Sequence, residues 1–418
     1  MAKPKLCLIP ASQGSKLFSV LPSSGVGDFD FTRSGSATRI NSQGLIEEVS
    51  NGQSRLNYPM IDGKVVGCPH HILEPQRTNL VTYSEDFSQS SWTKLNSTIV
   101  SNQEISPDGS LNADRLNILT NTWLYSVSTA ANGYYSVSVF AKAGDISTFK
   151  LGISDNVQSE LIMNVDLSNE TFTTEVGSSW TLGYAKIENY GNDWYRCSIS
   201  GNNTVTSTSK LSLIRGVENG YIYIWGAQLE QGSYPTSYIP TNGSSVTRSA
   251  ETANGSGDAA TFNSSEGVLM AEISALGNSQ IYKLISISDG TNNNRVTLGY
   301  NNSAINKFYF QLKANSSSIW SLNIEKNINV SKIAFKYKSG QQSVFVDGFE
   351  VVNKTDAFTF SSNLSDLSFL EQGTSNPFYG KTKEIAYYNS ALTDSELETL
   401  TSWTSFSDMA NGQQYSII

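Results

Sequence analysis

The stretch KIAFKYKSGQQSVFVDGFEVVN, Lys332 to Asn353, carries the clearest local pattern in the chain. Apolar residues from Ile333 to Tyr337 alternate with lysines, so one face of an extended segment is apolar and the other is charged. Asp347-Gly348 stands between two apolar runs. Such a pair is typical of a two-residue hairpin turn, because both positions need positive φ. The stretch therefore predicts two antiparallel strands with one buried face.

The same alternation recurs through the middle of the chain, with polar turns between the apolar runs. This spacing is typical of antiparallel strands that pack as a sandwich. We predict strands at Tyr135–Ala143, Leu161–Leu167, Trp194–Ser200 and Tyr221–Trp225. A short helix is predicted at LTDSELETL, because Thr393 and Glu396 have the spacing of a capping box.

The length of 418 residues exceeds what one hydrophobic core usually supports, which predicts more than one domain. We expect an all-β protein: two antiparallel β-sandwich (jelly-roll) domains preceded by an irregular N-terminal docking segment. Residues 1–80 are rich in turn signals and poor in apolar runs, so this segment should pack on something else. The expected divisions are the segment 1–80, the sandwiches 81–250 and 251–402, and a C-terminal tail 403–418.

Composition argues against several classes of function. The net charge of −9, with no lysine- or arginine-rich block, argues against a nucleic-acid partner. The three cysteines are far apart and odd in number, which predicts free thiols and synthesis in a reducing cytoplasm. The N-terminal apolar run is too short for a signal peptide or for membrane insertion, so neither is expected.

No motif in the chain predicts catalysis, so we expect a protein that is not an enzyme. Glu47-Glu48 and Glu85-Asp86 are sequence neighbours, so their carboxylates should point apart rather than flank a scissile bond. His70 and His71 follow Cys68, which is one way to begin a zinc site. Adjacent residues diverge, however, and a turn with packed imidazoles is the better interpretation.

Aromatic residues at exposed-looking positions are candidates for stacking on sugar rings, since aromatics make up 11 % of the chain and amide side chains are frequent. For each aromatic taken alone, packing in a core is the competing interpretation. Trp225 lies in an apolar strand and is assigned to the core. The candidate glycan-binding residues are Trp92, Trp123, Tyr125, Trp194 and Tyr195.

Calcium is a possible cofactor, because loops of β-sandwiches bind it through carboxylates and carbonyls. Asp86, Asp108 and Asp289 are the candidate ligands. The last two precede glycine, and an Asp-Gly pair is equally explained as a plain turn. No other cofactor is expected.

The segment WGAQLEQGSYPTSYIPT, Trp225 to Thr241, joins the two predicted sandwiches. Pro235 and Pro240 fix φ and favour extended neighbours. Tyr234 and Tyr238 can pack on the sandwich with their hydroxyls outward. We expect a rigid interdomain connector that sets the angle between the domains; an ordinary packed loop is the alternative.

Several segments resemble virion proteins of tailed bacteriophages. Phe31–Tyr58 together with Cys68–Ser88, which contains an Arg-Thr-Asn-Leu element, looks like the head of many phage fibre and surface proteins. Ser106–Leu116 together with Ile224–Arg248 is similar to carbohydrate-binding-module-like jelly rolls in those proteins. This part of the resemblance implies that the first sandwich is such a jelly roll.

The C-terminal part has a resemblance of its own. Val344–Val351 with Gly380–Leu400 looks like the final strands and short helix of a concanavalin A-like, or laminin-G-like, lectin domain. The chain departs from the phage proteins in having no predicted coiled-coil or β-helical stalk. The lectin-like part also has no obvious calcium-plus-asparagine sugar site.

The resemblance implies a non-enzymatic structural or adhesive protein of a head or tail fibre or decoration, displayed on the virion surface and made in the bacterial host cytoplasm. Its implied partners are other virion proteins, contacted through the N-terminal segment, and a host-surface glycan. A homo-oligomer is also implied, with a trimer favoured. Two alternatives stay open: a decoration or assembly protein that binds no glycan, and a polysaccharide depolymerase.

Overall fold

The computed structural model describes residues 3–129, 131–155, 159–205, 209–277, 281–302, 307–325, 331–374, 376–404 and 408. These residues are nearly all in antiparallel strands, with one short helix, which confirms the predicted all-β class. Among them, no helix has the length and apolar character that a membrane crossing requires.

The N-terminal region forms ten short strands. They are β1 (Leu6–Gln13), β2 (Lys16–Leu21), β3 (Phe29–Thr32), β4 (Ala37–Ile40), β5 (Ile46–Val49), β6 (Leu56–Asn57), β7 (Met60–Ile61), β8 (Lys64–Val65), β9 (His70–Leu73) and β10 (Arg77–Asn79). β4 pairs with β5, and β7 pairs with β8, as two separate hairpins.

The next ten strands build the first sandwich. They are β11 (Trp92–Ile105), β12 (Leu111–Thr129), β13 (Gly133–Ala143), β14 (Thr148–Ser154), β15 (Glu160–Asp166), β16 (Thr171–Val176), β17 (Trp180–Asn189), β18 (Trp194–Asn203), β19 (Ser209–Gly216) and β20 (Gly220–Gln231). The first half of β12 pairs with β20 and its second half with β19, so β12 belongs to both layers. One layer has the order β16-β15-β14-β19-β12 and the other β12-β20-β13-β18-β17, with an apolar core between them.

The remaining elements belong to the second sandwich, except the first of them, which pairs with β10 in a separate two-stranded sheet. They are β21 (Val246–Arg248), β22 (Thr252–Asn254), β23 (Glu266–Ala275), β24 (Lys283–Ser288), β25 (Arg295–Tyr300), β26 (Lys307–Ala314), β27 (Ser317–Glu325), β28 (Ser331–Lys338), β29 (Gln342–Val346), β30 (Phe349–Lys354), β31 (Asp366–Ser368), β32 (Gly380–Tyr388) and the helix α1 (Asp394–Thr401). The sheet β27-β26-β25-β24-β31 shares a core with the sheet β22-β3-β2-β1-β32-β23-β28-β29-β30.

The local predictions for this sandwich are confirmed. β29 and β30 form the expected hairpin, and Asp347 and Gly348 at its turn have φ values of 47° and 84°. α1 begins at the expected place, with Thr393 as the N-cap and both hydrogen bonds of the capping box to Glu396 formed. Both features depend on contacts within a few residues, which is why the sequence alone determines them.

The N-terminal segment differs from the prediction. β1 pairs with β32, and β3 pairs with β22, so residues 6–32 are part of the second sandwich. Leu6, Leu17 and Phe29 are fully buried in the core of that sandwich. The expectation of an irregular docking segment is therefore wrong for these residues. The segment does pack on another surface, as expected, but that surface belongs to the same chain.

The first sandwich is consequently an insertion between strands of the second. The chain enters it after β10 and leaves it before β21, and these two strands pair with each other. Of the predicted C-terminal tail 403–418, only residues 403, 404 and 408 lie within the described part of the chain.

A buried arginine–glutamate cluster joins the N-terminal region to the segments on either side of the insertion; it consists of Arg33, Arg55, Glu74, Arg248 and Glu251. Glu251 accepts hydrogen bonds from Arg33 at 2.8 Å and Arg55 at 2.9 Å. Glu74 pairs with Arg55 at 2.8 Å and Arg248 at 2.7 Å. Burial alone would raise the pKa of Glu74, but Arg248 and Arg55 hold it well below its usual range.

Replacing Phe29 with alanine tests whether the N-terminal strands belong to the core. We expect a loss of about 3–5 kcal/mol in the free energy of unfolding, because the change leaves a cavity in a packed core. Phe349→Ala is the matched control, since Phe349 is 70 % exposed and should change stability by less than about 0.5 kcal/mol. Urea unfolding measures both, and equal effects would contradict the assignment of residues 6–32 to the sandwich.

Replacing Glu251 with glutamine tests the cluster. The change leaves two buried guanidiniums without their shared carboxylate, so we expect a loss of about 3–5 kcal/mol. Asp30→Asn is the control, because the Lys16–Asp30 pair is exposed and should contribute less than about 1 kcal/mol. Thermal and urea unfolding provide the measurement, and a Glu251→Gln protein as stable as the control would refute the structural role of the cluster.

Candidate glycan-binding face

Two of the five predicted glycan-binding residues are buried, which corrects their assignment. Trp92 is 2 % exposed; its indole N–H donates to the carbonyl of Tyr83 at 2.8 Å, and its ring packs on Phe87. Trp194 is also 2 % exposed and donates to the carbonyl of Ile105 at 2.8 Å. Neither indole offers a face to a sugar in this conformation.

The other three predicted residues are partly exposed but do not form one group. Trp123 and Tyr125 are two positions apart on β12, so they point to the same side of the strand, opposite the buried Leu124. Tyr195 lies on β18 in the other layer, and its hydroxyl donates to Glu170 at 2.9 Å. The structure therefore unites Trp123 with Tyr125 and separates both from Tyr195.

Trp123 belongs to a row of outward side chains that crosses the first layer. The strand register places Trp123 opposite Arg215, Arg215 opposite Lys150, and Lys150 opposite Asn164. The row continues to Thr173 on β16 and, in the other direction, to Leu95 on β11. Since neighbouring strands are about 4.8 Å apart, the five steps span roughly 24 Å. We call Leu95, Trp123, Arg215, Lys150, Asn164 and Thr173 the polar row.

The charges on this face are paired. The guanidinium of Arg215 lies 3.5 Å from the centre of the Trp123 ring and also forms an ion pair with Glu160. The ammonium of Lys150 pairs with Glu175 at 2.8 Å, and this hydrogen bond lowers the pKa of the Glu175 carboxyl. With two cations matched to two carboxylates, the face offers directed donors and acceptors without a large net charge.

Asn164 adds the amide that completes this arrangement. Its side-chain nitrogen donates to Glu175 at 3.0 Å and to Thr173 at 3.3 Å, so its orientation is fixed. Fixed polar side chains beside an aromatic ring are what recognition of a hydroxyl-rich ligand requires. Lys150, Asn164 and Arg215 could not be identified as site residues from the sequence, because only the strand register brings them into line with Trp123.

The interdomain connector is packed rather than free. Tyr234 and Tyr238 are buried, and the hydroxyl of Tyr238 donates to Glu85 at 2.8 Å. The expectation that these hydroxyls face outward is therefore wrong for Tyr238. Pro235 and Pro240, between and after the two tyrosines, are partly exposed.

Asn79 of the Arg-Thr-Asn-Leu element helps to hold the connector. Its side-chain nitrogen donates to the carbonyls of Ala227 (3.1 Å) and Ile239 (2.9 Å), and its oxygen accepts from the amides of Val81 and Leu229. All four hydrogen-bonding positions of this buried amide are used. One side chain thus fixes the last strand of the first sandwich to the connector that follows it.

The three candidate calcium ligands lie in turns that use their carboxylates. Asp86 accepts from the amide of Ser88, Asp108 from the amide of Ser110, and Asp289 from the amide of Thr291. Within the described ranges, no group of three or more His, Cys, Asp or Glu side chains could hold a metal ion. These contacts account for the three aspartates as turn residues, and calcium binding stays a prediction.

His70 and His71 are both buried in β9, while Cys68 is exposed. Ser54 lies 3.3 Å from Nδ1 of His71, and Asn57 lies 3.3 Å from Nε2 of His70. Burial lowers the pKa of His71 from 6.5 to about 4, and burial together with Lys381 lowers the pKa of His70 well below 6.5. Both side chains are therefore packed, neutral imidazoles.

Comparison with known proteins gives structural likeness only. No protein-family model and no curated protein matches the chain. Among solved structures, a CBM40 module of the Ruminococcus gnavus IT-sialidase bound to α2,3-sialyllactose matches with 17 % identity and a TM-score of 0.29. The match covers 34 % of this chain and 84 % of that one.

Two further matches are of the same kind. One is domain 4 of AbnA, a GH43 extracellular arabinanase from Geobacillus stearothermophilus, in complex with arabinotriose. It matches with 15 % identity and a TM-score of 0.29, and the match covers 36 % of this chain and 73 % of that one. The other is a prokaryotic β-1,3-1,4-glucanase from a mouse hindgut metagenome, with 15 % identity and a TM-score of 0.26. That match covers 37 % of this chain and 76 % of the glucanase chain.

The buried imidazole of His71 predicts a pH dependence of stability. Its pKa is lower in the folded than in the unfolded chain, so below pH 6.5 the unfolded chain binds a proton that the folded chain does not. Stability should therefore fall as the pH drops from 6.5 to about 4, by roughly 3 kcal/mol from this residue.

The His71→Gln protein isolates this contribution. Its free energy of unfolding, measured in urea at pH 7, 5.5 and 4, should decline less steeply than that of the wild type. Cys68→Ser, a change at a neighbouring exposed position, should leave the slope unaltered. Parallel pH profiles for wild type and His71→Gln would contradict the assignment of a buried neutral imidazole.

Proposed function

We propose that this protein is a non-enzymatic surface component of a tailed-phage virion that binds a neutral host glycan through the polar row of its first sandwich. The observation that carries the binding proposal is the register of that row. It aligns an aromatic ring, a guanidinium, an ammonium and an amide across four neighbouring strands on one face.

The chemistry of the polar row supports a neutral ligand. Lys150 and Arg215 each have a carboxylate partner, so an anionic ligand would have to displace Glu175 or Glu160. A sugar hydroxyl can donate to the carboxylates and accept from the ammonium or the amide without breaking these pairs. Arg215 covers one face of the Trp123 ring, which leaves Tyr125 beside it as the aromatic surface for a sugar.

The virion part of the proposal rests on the resemblance of residues 31–58, 68–88, 106–116 and 224–248 to phage fibre and surface proteins. A display protein benefits from domains held at a fixed angle, and the paired strands β10 and β21 provide such a connection. In this proposal the protein is a homotrimer that contacts a capsid or tail protein through exposed residues of its N-terminal region.

Binding of the full chain to an array of neutral bacterial-surface oligosaccharides tests the glycan proposal. Asn164→Ala and Trp123→Ala should each weaken binding by about tenfold or more, because the first removes a directed amide contact and the second removes the ring on which Arg215 is held. The control is Asn353→Ala on the second sandwich, where Asn353 makes the same kind of hydrogen bond to Glu350. Binding should be unchanged in the control.

The outcomes separate the three functional hypotheses. Absence of binding by the wild type, with capture by a purified virion protein, would overturn glycan adhesion in favour of a decoration or assembly role. Release of reducing sugar from host polysaccharide would overturn the non-enzymatic assignment in favour of a depolymerase. Electron micrographs of particles with the subunit labelled test the virion location, and an unlabelled particle surface would contradict it.

A further inference from the structure

A cavity of about 570 Å³ lies between the first sandwich, the N-terminal region and the second sandwich. Cavities of about 300–1,000 Å³ commonly hold small ligands. Three walls can be distinguished: β17 and β18 of the first sandwich, the β7–β8 hairpin, and the ends of β23 and β32. This cavity is separate from the polar row, which lies on β11, β12, β14, β15, β16 and β19.

One end of the cavity is cationic; Lys186, Arg196 and Lys381 line it together with the carboxylates of Glu188 and Glu74. Lys186 pairs with Glu188 at 2.8 Å. Burial would raise the pKa of the Glu188 carboxyl, but Lys186, Arg196 and Lys381 together lower it. Glu74 is already paired with Arg55 and Arg248. The three cations therefore outnumber the remaining carboxylates near them, Glu188 and Glu230, and this excess of positive charge favours a ligand with an anionic group.

Arg196 supplies an independent indication of a ligand. The residue is only 5 % exposed, and its ring contact with Phe140 and hydrogen bond to Ser138 fix its position. Its Nε–H has no hydrogen-bond partner within the described residues. A buried guanidinium N–H without an acceptor is costly, and a bound carboxylate would supply the acceptor.

The rest of the lining suits a hydroxyl-rich molecule. Tyr184 and Tyr190 line the wall formed by β17 and the turn after it, and Asp62 and Glu170 line the cavity near the tip of the β7–β8 hairpin. Glu170 accepts from the amide nitrogen of Asn189 at 3.4 Å, which places its carboxylate close to that tip. These carboxylates can accept from hydroxyl groups, and the tyrosine rings can pack against the apolar face of a sugar.

The β7–β8 hairpin closes one side of the cavity by direct backbone contact. A Cβ atom on Gly63, at its tip, would stand 2.8 Å from Cα of Gly191, next to the end of β17. Only glycine therefore allows the hairpin to lie this close to the first sandwich. The shape of the cavity depends on that contact.

We propose that this cavity binds a small carboxylate-bearing saccharide, with its carboxylate at the cationic end and its hydroxyl groups toward Asp62 and Glu170. The site is distinct from the neutral-glycan face, and it does not depend on the proposed function. Its chemical class follows from the cationic end, the unpartnered Arg196 donor and the tyrosine-lined wall taken together.

Isothermal titration calorimetry of the full chain with glucuronate, glucose and inorganic phosphate tests this assignment. Glucuronate should bind, and glucose should bind at least about tenfold more weakly because it lacks the carboxylate. Absence of glucuronate binding would overturn the proposal. Phosphate binding as tight as that of glucuronate would also overturn it, since the site would then recognise charge alone.

Two pairs of variants locate the bound molecule. Lys186→Met should weaken glucuronate binding about tenfold. Lys338→Met is the control and should leave binding unchanged, because Lys338 is similarly exposed and has a similar ion pair, with Glu266 at 2.9 Å, but lies outside the cavity. Gly63→Ala should weaken binding by displacing the hairpin. Gly67→Ala should not, although both glycines have φ of +72°, because a Cβ on Gly67 meets no atom within 4 Å.

The two proposed sites can be tested independently of each other. Trp123→Ala should leave glucuronate binding unchanged, and Lys186→Met should leave binding of a neutral oligosaccharide unchanged. If glucuronate affinity falls in Trp123→Ala but not in Lys186→Met or Gly63→Ala, the acid binds on the outer face and the cavity assignment is wrong.

Discussion

The structure depends on the burial of two carboxylates, Glu74 and Glu251, against three arginines. Moving one ion from water into a protein interior costs several kcal/mol, and only complete pairing offsets that cost. Arg33 and Glu251 are separated by 218 residues, yet they must meet for either to be buried. The cluster can therefore form only when the N-terminal region, the entry to the inserted sandwich and the exit from it come together.

Because the first sandwich is an insertion, this cluster also restricts how the two sandwiches can rotate relative to each other. A domain joined by one strand can rotate about that connection, whereas the first sandwich is joined by two strands that pair with each other. Asn79 belongs to this pair, and Glu74 and Glu251 lie three residues from it along the chain. All three side chains are buried and hydrogen-bonded. The angle between the sandwiches is thus fixed by polar contacts of defined direction, which apolar packing alone would not provide.

Contacts between near neighbours in the chain could be predicted from the sequence, and distant ones could not. The Asp347-Gly348 turn and the Thr393 cap are determined within a few residues. The pairing of Leu6 with Tyr387 could not be predicted in this way, because no local sequence pattern identifies a partner 381 positions away. Phe29 and Phe31 do alternate with polar residues, so a strand was detectable there, but its sheet was not. The same limit explains Trp92 and Trp194, since their burial depends on which element covers them.

The polar row is a product of strand register, and this explains why the aromatic residues alone were a poor guide to it. A slip of one residue between β14 and β19 would turn Lys150 into the core and remove it from the row with Arg215. The buried residues Phe149 and Leu151 on either side of Lys150 prevent that slip, because it would expose their apolar side chains to water. The core of the first sandwich thus sets the order of polar groups on its outer face. Substitutions in that core can alter ligand recognition without touching any residue that contacts the ligand.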